Sequence, residues 1–155
     1  MQITRLFIIS FLVSIISLPC LCSCEIETHG NGDIDGFWQL NAIDSLYNNT
    51  RTDATSSRIF WAVQAKLLKT TDYTGNNPTL LMRFVLTGDS LRLHSPVIHK
   101  RSIHNADKVD TPLEEPSPLF PYGIQSLDET FKVLLLNGDR MILESDVLRL
   151  HFVKF

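Results

Sequence analysis

The sequence predicts an antiparallel all-β domain closed into an up-and-down barrel of about eight strands. Apolar residues recur with a period of two in nearly every segment beyond residue 36, as in strands with one buried face. Gly88-Asp89 and Asn137-Gly138 separate such segments with the chemistry of tight hairpins. No helical run is long enough for the crossover that parallel strands require. Closure is expected over a two-sheet stack because it alone removes exposed sheet edges.

At the N-terminus, Arg5 precedes an apolar stretch over residues 6–18 that ends at Pro19. This is the layout of a signal peptide over residues 1–23, and it is shorter than the roughly 20 apolar residues that a spanning helix needs. Leu21-Cys22-Ser23-Cys24 resembles the bacterial lipobox, in which a cysteine after a small residue is joined to diacylglycerol and becomes the new N-terminus. Ser23 directly before Cys24, and Leu21 three positions back, make Cys24 the lipidated residue on that resemblance. The resemblance implies a membrane partner through an N-terminal lipid and a place in the cell envelope. Glu25, where an aspartate would favour inner-membrane retention, implies the outer membrane, on its periplasmic or surface face.

All three cysteines lie at or before position 24, so no disulfide is expected in the body, which is large enough to bury a core unaided. Residues 24–35 contain Gly30 and Gly32 and lack apolar periodicity, which reads as a flexible tether. Loss of Arg5 with the signal leaves 13 basic against 17 acidic residues. That balance excludes nucleic acid, whose binders displace counterions with a basic footprint. The one basic cluster, His99-Lys100-Arg101 with His104, reads as a solvated loop.

Residues 36–155 are expected to form one domain, beginning with Gly36-Phe37-Trp38-Gln39-Leu40. Ile59, Trp61, Val63, Ala65 and Leu67 alternate with Gln64 and Lys66, predicting one long strand. Leu80, Met82, Phe84 and Leu86 predict the next, and after Gly88-Asp89 come Leu91 and Leu93. Phe131, Val133 and Leu135 lead into Asn137-Gly138, then Met141 and Leu143, a break at Ser145-Asp146, and a last strand with Leu148, Leu150 and Phe152 inward. Leu134 and Leu136 fall on the outward parity. Between these, residues 95–127 hold five of the seven prolines and read either as a lid or binding loop or as an irregular surface excursion.

Gly36-Phe37-Trp38 at the start of the first strand, with a last strand that ends almost flush at Phe155, resembles the lipocalin and fatty-acid-binding superfamily, the calycins. Together with the lipobox and short acidic tether, the layout is similar to lipocalin-like lipoproteins of Bacteroidetes. The resemblance implies that Trp38 closes one end of the barrel beneath a basic side chain from late in the chain. Lys154 has the inward parity for that role and Arg149 is the second candidate. Thr71-Asp72-Tyr73 has the composition of another motif of that superfamily but falls too early in the chain, between the second and third expected strands.

No catalytic machinery is legible: Gly-x-Ser-x-Gly, His-Glu-x-x-His and Cys-x-x-Cys are absent. His94, His99 and His104, spaced by five, read as surface residues rather than metal ligands, and Glu114-Glu115 between Pro112 and Pro116 reads as an exposed segment. No enzyme activity, metal or cofactor is therefore expected. The first functional expectation is a barrel that holds a small hydrophobic or amphipathic ligand, with Trp61, Met82, Phe84 and Phe131 lining the lumen and Phe120 and Tyr122 contributing from the proline-rich loop. The alternative is a filled barrel that serves as a structural or interaction module for another envelope protein.

Overall fold

The computed structural model describes residues 30–100 and 109–155. Alternation becomes strands where expected: β1 (Gly36–Ser45), β2 (Thr50–Asp53), β3 (Ile59–Gln64), β4 (Leu67–Asp72), β5 (Leu80–Thr87), β6 (Ser90–Ile98), β7 (Thr111–Pro112), β8 (Glu129–Leu136), β9 (Arg140–Glu144) and β10 (Leu148–Lys154). Each principal strand is hydrogen-bonded antiparallel to the next, in the order β1-β3-β4-β5-β6-β8-β9-β10. Pairing of β10 back onto β1, with Trp38 opposite Lys154 and Ile43 opposite Leu150, closes the eight-stranded barrel. The short β2 and β7 pair outside this circuit, with β1 and β6.

Three local readings are corrected. The single strand expected through Leu67 is two, because the chain reverses at Ala65-Lys66 and pairs Gln64 with Leu67. Ala65 takes a φ of 55° there, a conformation usually signalled by Gly or Asn, so no turn residue marks the reversal. It exposes Leu67 and turns Leu68 inward. In β8 a register shift between Val133 and Leu135 inverts the parity of the residues beyond it, and Leu136, expected outward, packs against the core. Lastly, the packed region begins ahead of Gly36: the 3-10 turn η1 (Gly32–Ile34) places Ile34 fully inside. One apolar residue in a polar stretch carries no periodic signal. Cys24, residues 1–23 and the first part of the expected tether lie outside the described residues.

The 95–127 segment is largely structured. Its start continues β6, its middle pairs as β7, and η3 (Ser117–Tyr122) places Leu119, Tyr122 and then Ile124 in the core. Residues 101–108, with His104, lie outside the described part.

Candidate functional site

The barrel has two ends and a lumen, and each candidate residue belongs to one of these or to the wall around them. At the end where the chain enters, the Trp38 indole N–H donates to the Ile34 carbonyl at 2.7 Å. Lys154 Nζ stands 4.8 Å from the Trp38 ring centroid and donates to the Asp33 carbonyl at 3.2 Å. Gly36 makes the crossing feasible: its φ is +135°, and a Cβ there would lie 2.5 Å from Lys154 Cε. Arg149 instead forks onto Glu144 at 2.7 and 2.5 Å, on the barrel wall.

The far end is closed by η3. The Tyr122 hydroxyl donates to the Pro78 carbonyl at 2.6 Å, tying η3 to the turn between β4 and β5. Burial, reinforced by the negative charge of Asp72, pushes this phenol up to about 12, the neighbouring Thr70 hydroxyl moderating the rise, so Tyr122 remains a donor at any physiological pH. Asp72 organises the adjoining turn, accepting from the backbone N–H of Thr74 at 2.7 Å and of Asn77 at 3.1 Å. Burial works against its charge, but the Thr74 and Asn77 hydrogen bonds prevail and hold its carboxyl below the ordinary range. Thr71-Asp72-Tyr73 thus ends β4 and starts a turn. Glu129 is buried and accepts from the backbone N–H groups of Gln125 and Ser126. There burial dominates and raises the carboxyl above its usual value.

Between the ends, the expected ligand-facing residues Trp61, Met82, Phe84, Phe131 and Tyr122 all belong to the buried core. Trp61 packs against Phe152 at 4.7 Å and Phe131 at 6.3 Å between centroids. Trp61, Phe131, Tyr122, Leu68, Leu80 and Met141 have no surface left to water, and a void able to admit one would expose its lining. Phe120, the remaining candidate, turns outward and is 47% exposed. Among the described residues, Trp61 Nε1 is a polar atom of this interior that lacks a hydrogen-bond partner, while Thr70, opposite Trp61 across β3 and β4, turns its hydroxyl to Tyr122.

Among the described residues, the outer wall carries an open recess of about 270 Å³ lined by Asn31, Lys66, Phe84, Val85 and Leu86 and another of about 320 Å³ lined by Asn41, Ala42, Arg51, Asp53 and Thr55. Sequence reasoning missed a cluster of rings on the outer wall. Phe37 stacks on Phe60 at 4.7 Å, with Tyr73 and Phe155 edge-on to both. Phe37 and Phe60 have opposite inward-outward parity to Trp38 and Trp61, the one signal that could have revealed it. Among the described residues, no three His, Cys, Asp or Glu side chains gather as metal ligands would; His99 pairs with Asp110 at 3.2 Å, and His151 with Asp44 at 2.7 Å.

The family model for the lipocalin-like domain matches residues 19–155. No curated protein matches the chain. Among solved structures, the chain is similar to a lipocalin-like protein from Bacteroides uniformis ATCC 8492, with 21% identity, a TM-score of 0.57, and coverage of 80% of this chain and 100% of that one. It is also similar to an uncharacterized protein from Bacteroides eggerthii DSM 20697, with 18% identity, a TM-score of 0.55, and coverage of 78% and 98%.

Proposed function

The chain belongs to the lipocalin-like domain family, and on that premise we propose that it is a lipid-anchored envelope protein whose filled barrel is a scaffold, acting through its outer surface and without catalysis. The observation that carries this reading is the packed lumen, where Trp61, Phe131 and Phe152 occupy the space a ligand would take. The lipobox at Cys24 supplies the anchor and the signal over residues 1–23 supplies export, with the outer membrane as destination.

A second reading, a small amphipathic ligand held in the lumen, is favoured by Trp61 Nε1, which lacks a partner among the described residues. Buried polar atoms usually have partners, and a ligand oxygen beside the indole N–H would supply one. Such a ligand requires η3 and the rings beneath it to move apart. Native mass spectrometry of the full protein purified from its own envelope tests the choice. The expected mass is the polypeptide with diacylglycerol on Cys24 and nothing further. A reproducible small adduct lost on denaturation would replace the filled scaffold with the ligand carrier.

A further inference from the structure

The outer ring cluster lies beside the point where the tether joins the barrel. Phe155 donates its backbone N–H to the Phe37 carbonyl at 2.8 Å, and its neighbour Lys154 reaches the Asp33 carbonyl. Phe60 is covered by the other rings, whereas Tyr73 is 51% and Phe155 82% exposed. Val153, opposite Gln39 on the same wall, extends the apolar surface. Cations flank it on both sides: Arg140 is paired with Val153 on β9, and Lys69 faces Ala62 across β3 and β4. An apolar aromatic patch with a cationic margin fits a lipid headgroup region, where rings settle at the polar boundary and lysine or arginine meets anionic phosphates.

We infer that this patch, Phe37, Phe60, Tyr73, Val153 and Phe155 between Arg140 and Lys69, docks the barrel wall onto the membrane that holds its lipid anchor. The inference rests on the lipid-anchor reading of Cys24. Chain length then favours lipid over other occupants. From Cys24 to Gly30 the backbone spans at most about 20 Å even when fully extended, so the tether end is confined near the headgroups. A patch on the adjoining wall meets lipid before any soluble partner, at a local concentration set by the tether.

The test uses the full lipidated chain in vesicles of phosphatidylethanolamine and phosphatidylglycerol, with bromine on the acyl carbons nearest the headgroup. Trp38 and Trp61 are buried, so emission added by Phe155→Trp reports the patch, and emission added by Tyr47→Trp reports the opposite end. The expected result is quenching of the Phe155→Trp signal, little quenching of the Tyr47→Trp signal, and relief of the former by Lys69→Glu with Arg140→Glu. Equal quenching at both ends, or none at position 155 while the protein floats with the vesicles, overturns docking and leaves the anchor standing. A blue shift at position 155 that grows with protein concentration without lipid assigns the patch to a second copy and overturns it too. Failure to float shows that the anchor itself is wrong, and the inference falls with it.

Discussion

At the end where the tether enters, strands are joined by tight hairpins at Ala65-Lys66, Gly88-Asp89 and Asn137-Gly138, and Lys154 crosses Trp38. At the far end the chain lays η3 across the opening and pins it with Tyr122 and the loop held by Glu129. The first closure is built from residues close to strand termini and from one flexible side chain. The second is built from a segment distant in sequence from much of what it covers. The two ends should therefore yield differently. A long side chain can move aside from an intrusion, whereas buried leucine cannot.

Two glycines put that to the sharpest test. Gly123 has a φ of +82°, and a Cβ on it would lie 2.6 Å from Leu150 Cδ2 and 2.9 Å from Cδ1, against a side chain with no free surface. Gly123→Ala should cost about 2–4 kcal/mol, from left-handed strain plus overpacking. Gly36→Ala meets only the flexible Lys154 stem and should cost about 1–3 kcal/mol, chiefly as backbone strain. Urea unfolding of both variants decides the order; a larger loss at Gly36 would make the tether end the stiffer one.

The same contrast explains what could be read in advance. The two glycine-bearing turns are short signals whose physical cause lies within a few residues, whereas Trp38 and Lys154, which meet only through the pairing of the first and last strands, were legible through the calycin resemblance. From these together the closed antiparallel barrel followed. The Ala65-Lys66 reversal and the parity change near Leu134 depend on pairing with strands elsewhere. The burial of Leu119 and Tyr122 depends on a barrel mouth that must exist before η3 can cover it. The outer ring cluster was hidden because Phe37, Phe60, Tyr73 and Phe155 come from separate parts of the chain.

Removing only the hydroxyl at the far end gives a smaller effect. Tyr122→Phe keeps the ring in the core but leaves the Pro78 carbonyl without this donor, a loss of about 1–2 kcal/mol. Hydrogen exchange should quicken over 113–127 and the 72–78 turn, with the tether end unchanged. Acceleration spread evenly over the barrel would mean that η3 does not open as a local unit.

Acid and base should also separate the ends, since the far end carries two buried carboxylates shifted in opposite directions. Asp72 lies below its unfolded value of about 3.9, so its contribution is present above that value and lost as pH falls through the folded one. Glu129 lies above its unfolded value of about 4.3, so its contribution is complete below that value and lost as pH rises through the folded one. Asp72→Asn should flatten the acid limb of a stability-pH curve, and Glu129→Gln should flatten the decline above the ordinary carboxylate range. Urea midpoints across that range measure both.

Lys154→Met is the smallest change expected and the one that isolates the tether end. It removes a cation from the Trp38 face and a hydrogen bond to Asp33 while keeping an apolar stem over the indole. Because Lys154 is partly exposed, the cation–π loss should be about 0.5–1 kcal/mol. Trp38 keeps its bond to the Ile34 carbonyl, so near-ultraviolet circular dichroism should alter only slightly. The loss should be independent of pH throughout the range where Asp72 and Glu129 titrate, since Lys154 meets the Trp38 ring and the Asp33 carbonyl rather than either carboxylate. A loss as large as that at Gly123, or one that varied with acid, would show that the two closures are coupled through the packed lumen. The barrel would then respond as a single body rather than as two separately latched ends.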